Sequence, residues 1–238
     1  MLDLSGKRCV ITGAGRGLGQ AFSVSFAALG AEIVATARSA EALEETAQLV
    51  EEAGGQRPET IVMDLADAKA TAQAAKEIAQ GPVDILINNG AGWLEGDLTD
   101  VTPVEIEATV ASAVSGTAAV LQGVWSSLKR SSGGVVITIV STCGLDRTGI
   151  DHASPVFHAA KRGQAGLMES CRPALRRDGI RSIAIFPPDL DDDSDGSELS
   201  PIGGGDVIDC ALFALSRRRT LTLSDIVMRR MDQDGPYA

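Results

Sequence analysis

The 238-residue chain is poor in the side chains that most often carry acid–base and metal chemistry. It holds one tyrosine, two histidines and four cysteines, and aromatic residues make up only 3% of it. The cysteines, at 9, 143, 171 and 210, form no CxxC pair. That spacing excludes the usual zinc-site and disulfide frameworks and points to a reducing, cytoplasmic setting. Positive charge is scarce as well: 21 Lys and Arg stand against 32 Asp and Glu, for a net charge of −11. So acidic a chain repels phosphate backbones and anionic lipid, and neither nucleic acid nor a membrane surface is expected as a partner. No basic segment followed by an apolar one opens the sequence, so no signal peptide is expected. The longest clean apolar run of β type, VVITIV at 135–140, is far too short to span a bilayer.

What is present is apolar material, 44% of the chain, arranged in a repeating order. Short β-branched runs stand at 8–12, 31–36, 60–63, 83–87, 134–140 and 181–186, with a further candidate at 221–228. Helical patterns separate them, such as EALEETAQLVEEAG (41–54), which ends in glycine. Thr102 and Pro103 read as the N-cap and first position of a long helix of small and apolar residues reaching Lys129. Strand and helix alternating from end to end predict an α/β doubly wound parallel sheet, Rossmann-like, of about seven strands with helices on both faces. No repeat or linker interrupts the order, so residues 1–238 read as a single domain. The segment PPDLDDDSDGSELSPIGGG (187–205) is a loop by its acids, prolines and glycines, and follows a strand end, where such sheets bind ligands.

The first strand runs into TGAGRGLG (12–19). Gly13, Gly17 and Gly19 permit a tight turn, and with Leu18 they let backbone N–H groups approach a pyrophosphate at a helix N-terminus. A lone glycine pattern says little, but this one follows a strand and opens a helix. NAD-binding sheets often carry an acid at the tip of the second strand, where it accepts from the ribose hydroxyls. Here that tip holds Ala37 and Arg38, and Arg16 adds a cation within the glycine turn. Losing the acid and gaining arginines suits a 2′-phosphate, so NADP(H) is favoured over NAD(H).

Together with further motifs, these residues resemble the short-chain dehydrogenases/reductases of the common short type, over the whole chain. TGAGRGLG is similar to that family's TGxxxGxG. Asp64 and Leu65 resemble its acid-plus-apolar pair against adenine. NNGAG (88–92) resembles its NNAG motif, with Asn88 and Asn89 in place and Gly90-Ala91 in reversed order. STCG (141–144) resembles its serine motif, and FHAAK (157–161) stands where YxxxK belongs. RSIAIFPPDL (181–190) resembles the sixth strand and its Pro-Gly loop, with Pro187 as the proline and Pro188 in the glycine position. The resemblance implies a nicotinamide cofactor, a small-molecule substrate reacting at a hydroxyl or carbonyl group, and a proton-transferring tyrosine. It also implies a lysine that lowers the tyrosine's pKa and holds the ribose, a serine on the substrate oxygen, and an asparagine supporting a water chain. Carried over by position, the serine is Ser141 and the lysine Lys161. The tyrosine position is Phe157, which has no proton to give, and the asparagine position is Ala113.

Two departures, with the irregular NNGAG and Pro188, favour natural divergence over a single engineered replacement. Substitute acids are few. Tyr237 lies next to the C-terminus, where chains are usually loose. His158 follows Phe157 on the same helix and should point about 100° away from the site. His152 lies in the loop between Ser141 and the helix and is the candidate substitute acid, with Asp151 beside it. Cys143 is expected to pack rather than react. The readings in play are an NADP(H)-dependent oxidoreductase with impaired or altered proton transfer, and a catalytically inactive NADP(H)-binding protein serving as sensor or partner subunit. The five aspartates within 189–195 disfavour anionic substrates. The small-residue helix from Pro103 and the FHAAK helix resemble the family's pairing surfaces, which implies a homodimer or homotetramer.

Overall fold

A computed structural model describes residues 2–145, 152–190 and 202–230. Its strands are β1 (Arg8–Thr12), β2 (Glu32–Ala37), β3 (Glu59–Val62), β4 (Ile85–Asn88), β5 (Val135–Ile139), β6 (Arg181–Phe186) and β7 (Asp225–Val227). They form one seven-stranded sheet in the order β3-β2-β1-β4-β5-β6-β7, and every pairing is parallel. The expected doubly wound sheet is therefore the observed one. Boundaries differ by a residue or two. The seventh strand, at the sheet edge, is shorter than its apolar run, because only Asp225–Val227 finds a partner, on β6.

The helices are α1 (Gly17–Ala28), α2 (Ala40–Glu52), α3 (Ala68–Ile78), α4 (Pro103–Val110), α5 (Thr117–Arg130), α6 (Pro155–Arg177) and α7 (Gly204–Leu215). Side chains alternate across a strand, and the two cores divide accordingly. Cys9 and Ile11 of β1 join Phe22 and Phe26 of α1, Leu43 of α2 and Val207 of α7 on one face. Val10 points the other way, to Ile78 of α3, Val124 of α5 and Met168 of α6. Phe22 and Phe26 are fully buried and meet edge to face at 5.6 Å. Each contributes roughly 1.5–3 kcal/mol through its burial.

The long helix expected from Pro103 is present but is not uniform. Thr102 caps α4 through a reciprocal pair with Glu105. The run then loosens into a π turn, Ala111–Gly116, before α5. Such a turn inserts one residue into the helical ladder. At Gly116 a Cβ would lie 2.5 Å from the Leu65 carbonyl oxygen, so that approach requires glycine. By length and composition alone the stretch Pro103–Arg130 is apolar enough to cross a membrane. In the fold, Val120, Leu121, Val124 and Leu128 are buried against the sheet.

Candidate active site

The chain winds outward from β1 to β3, then returns to β4 on the other side of β1. Loops leaving β1 and β4 therefore diverge and open a crevice. The contacts that close its floor are backbone contacts. Gly13 has φ of +67°, and a Cβ there would sit 2.6 Å from the Gly90 Cα. At Gly19 a Cβ would lie 2.2 Å from the Gly13 oxygen and 2.6 Å from Asn89 Nδ2. Asn89 Nδ2 donates to the carbonyls of Thr12 (3.1 Å) and Gly13 (3.2 Å). In return the Thr12 hydroxyl accepts from the backbone N–H of Asn89 (3.1 Å) and Gly90 (3.0 Å). Gly90 lies close beneath Leu65 and against the glycine turn: a Cβ at 90 would be 2.6 Å from Leu65 Cδ1 and 3.0 Å from Gly13 N.

The mouth of this turn suits an anion. Side-chain oxygens of Ser39, Asp67, Thr102 and Ser154 cap α2, α3, α4 and α6, whereas α1 has no side-chain cap. The first N–H groups of α1, from Gly17, Leu18 and Gly19, thus lack the side-chain partner that those four helices receive. Gly17, with φ of +53°, faces open space. Arg16 and Arg38 are both exposed. Asp64 is half-buried and accepts from Ala66 N at 2.9 Å. Asn88 is buried and donates weakly to Thr138 at 3.4 Å, leaving its Oδ1 as a buried acceptor without a partner.

Across the crevice the site is made of side chains. Ser141 follows β5, is buried, and its Oγ accepts from Cys143 N at 3.1 Å. Thr142 N donates to the Pro187 carbonyl at 2.8 Å, joining this turn to the segment after β6. Gly144 lets the turn approach α6, since a Cβ there would be 3.0 Å from the Lys161 oxygen. Phe157 and Lys161 lie one helical turn apart on α6, and both are buried. The Phe157 ring packs with Cys143, Ala153 and Leu94. Trp93 meets it edge-on at 4.6 Å. Lys161 Nζ lies 5.7 Å from the ring centroid and donates to the Ile139 carbonyl and Gln164 Oε1, each at 3.1 Å. Burial pushes the ammonium's pKa down from 10.5 to about 7, and the Cys143 thiol opposes that shift.

The sequence-derived residues fall into place unequally. Ala113 is buried within the π turn, which packs against α6. His152 is half exposed, with Nε2 3.5 Å from an Asp189 carboxylate oxygen and its ring 5.5 Å from Trp93. His158 departs from the expectation that it turns away: its Nε2 is 3.8 Å from Cys143 Sγ. The rotation along the helix is as expected, but the turn at 142–144 wraps beside α6 and meets the ring there. Cys143 packs, as expected. Asp151, Tyr237 and the acids at 191–195 lie outside the described residues. Sequence reasoning missed Trp93, Gln164 and Thr117. The signals were a tryptophan directly after NNGAG, and a glutamine on the face shared by Phe157 and Lys161.

Fold and crevice define a doubly wound protein with a dinucleotide-type switch point between β1 and β4. The family model described as short chain dehydrogenase matches residues 7–199. A metagenomic short-chain oxidoreductase, solved in complex with NADP, superposes with a TM-score of 0.81 at 29% identity, covering 97% of this chain and 99% of that one. A short chain dehydrogenase from Burkholderia cenocepacia, also in complex with NADP, gives a TM-score of 0.82 at 25% identity over 95% and 98% of the two chains. An uncharacterized oxidoreductase of Staphylococcus saprophyticus is 24% identical over 96% of this chain and 99% of its own. The chain belongs to the short-chain dehydrogenase family of oxidoreductases.

Proposed function

We propose that this protein is an NADP(H)-dependent oxidoreductase acting on a hydroxyl or carbonyl group, with proton transfer impaired or altered at Phe157. The observation that carries this reading is the buried Lys161 ammonium 5.7 Å from a ring that has no hydroxyl. The N–H groups at Gly17, Leu18 and Gly19 would take the pyrophosphate, and Gly13, Asn89 and Gly90 shape the floor beneath it. Arg16 and Arg38 would pair with a 2′-phosphate. Asp64 and Leu65 would face the adenine, Lys161 the nicotinamide ribose, and Pro187 the loop over the ring. Bound nicotinamide would supply or accept the hydride. The chain's own residues must then orient the substrate oxygen, through Ser141, and manage its proton. His152 is the first substitute acid to test, since it is half exposed and its ring lies 5.5 Å from Trp93, which itself packs on Phe157.

A second reading, a catalytically inactive NADP(H)-binding sensor or partner subunit, draws on the packing of Trp93, Leu94 and Cys143 around Phe157. Steady-state NADPH oxidation against a panel of ketones and quinones separates the two. Turnover that depends on Ser141 supports the enzyme, and tight NADPH binding without turnover supports the sensor. Losing a general acid costs about 100- to 10,000-fold in rate, so weak turnover is the expected result. We further propose a single-domain, cytoplasmic homodimer or homotetramer. Val104 and Val110 of α4, 76% and 39% exposed, support self-association. Sedimentation showing only a 24.6 kDa species would overturn it.

A further inference from the structure

Gln164 is a polar residue where the helix pattern calls for an apolar one. It is fully buried on α6, one turn beyond Lys161, on a helix whose neighbouring buried positions are Val156, Phe157, Ala160 and Met168. Burying an amide is costly unless both ends are hydrogen-bonded. Here both ends are. Oε1 accepts from Lys161 Nζ at 3.1 Å, and Nε2 donates to Thr117 Oγ1 at 3.1 Å. Thr117 is the first residue of α5, directly after the π turn. The close approach of α6 to that turn occurs at Gly163, where a Cβ would lie 2.9 Å from Val114 Cγ2. A larger residue at 163 would hold Gln164 away from Thr117.

The amide is oriented by this arrangement. A hydroxyl can accept from the NH2 end while the carbonyl end turns to the ammonium, and reversing the amide would set two donors against each other. An ammonium has three donors. Ile139 O and Gln164 Oε1 take two of them, which leaves one for a ligand. Among the described residues, the titratable group whose charge acts on Lys161 is Cys143 of the adjoining turn, itself 3.8 Å from His158. Among the described residues no carboxylate acts on Lys161, and the groups that accept from its ammonium are two neutral dipoles, the Ile139 carbonyl and the Gln164 amide.

We infer that Gln164, braced by Thr117, is a positioning residue that fixes the Lys161 ammonium and favours its charged form, with one N–H left for the bound nucleotide. The last part rests on reading Lys161 as the ribose ligand; the first part does not. The test is direct. Lysine carrying ¹³C at Cε is followed by NMR against pH in the nucleotide-free protein, with Lys161→Arg to assign the signal. NADPH isotherms are recorded over the same pH range. Gln164→Met, close in volume, should lower the Lys161 midpoint by about one unit or more. Gln164→Glu should raise it by a similar amount, because a carboxylate favours the ammonium more than an amide does. Thr117→Val leaves Gln164 in place and removes only its brace, so it should shift the midpoint down by less, and it serves if Gln164→Met does not fold. The pH at which NADPH affinity falls should move with the Lys161 midpoint in each variant. An unchanged midpoint in the folded variants overturns the inference. A moving midpoint with an unmoved isotherm supports Gln164 as the positioning residue and overturns the ribose reading.

Discussion

Around Gly13 and Asn89 the crevice is held by backbone against backbone, whereas around Phe157 and Lys161 it is held by side chain against side chain. On the first side, glycine Cα atoms and carbonyls approach within distances that admit no Cβ, and one asparagine ties the turn to its neighbour. On the second, a ring, an ammonium, an amide and a thiol meet through their side chains. By the resemblance read from the sequence, the first region keeps the family's pattern with one inversion, and the second departs from it at two positions. Backbone geometry tolerates few substitutions, because a clash with a carbonyl has no rotamer to relieve it. A buried aromatic that loses a hydroxyl loses chemistry but keeps its packing.

The sharpest way to break this contrast is Gly19→Val. Its Cβ would fall 2.2 Å from the Gly13 oxygen. Destabilisation at or above the ~3 kcal/mol upper range of overpacking is expected in urea titration, together with loss of NADPH binding. A variant that folds and binds normally would show that the turn is looser than these distances imply.

Next in size is the buried lysine. Its pKa is 10.5 when solvated and about 7 in the fold. Between those values the unfolded chain holds a proton that the folded chain has released, so stability should rise with pH across the window. The slope is at most ~1.4 kcal/mol per pH unit. Below pH 7 both states are protonated and the contribution is flat. Lys161→Met should remove the slope, and the difference between the two stability curves isolates it from other titrations. Parallel curves would mean the ammonium is better solvated than its surroundings suggest.

Phe157→Tyr follows. Only one oxygen is added beneath Trp93, so fold and NADPH affinity should be kept. The nearby ammonium should lower the new phenol's pKa. Carbonyl reduction, read as kcat/KM, should rise at least about tenfold, at the low end for a general acid because Ala113 leaves the relay incomplete. Adding Ala113→Asn should gain more. A fast wild type that the change slows would point to another acid, His152 first. Arg38→Asp is expected to be smaller, reversing the preference for NADPH over NADH by several-fold, on the ~1 kcal/mol scale of exposed charge pairs. Equal affinities in the wild type by calorimetry would sink the 2′-phosphate reading. Least of all, His152→Ala should change stability by no more than about 0.5 kcal/mol, since its pairing with Asp189 at 3.5 Å is half exposed.

Most of the scaffold was legible in the sequence. Alternating β-branched runs and amphipathic helices imply a parallel sheet of about seven strands, and TGAGRGLG marks the crevice. The π turn was not legible, because SAVSG carries no proline or other signal distinguishing one extra residue per turn from an ordinary helix. Nor was the neighbourhood of His158, since a helical wheel gives direction but not what another segment brings alongside.

The sequence by itself therefore determined the sheet, the glycine turn and the missing hydroxyl at 157, because periodicity, backbone freedom and the presence of an atom are local properties. Only the tertiary structure decided that Gln164 meets Lys161 and Thr117, and that Trp93 lies on Phe157. It likewise decided that Gly90 lies beneath Leu65. Such pairings depend on where separate elements dock, and a buried polar group finds its partner only when that docking removes water as the alternative.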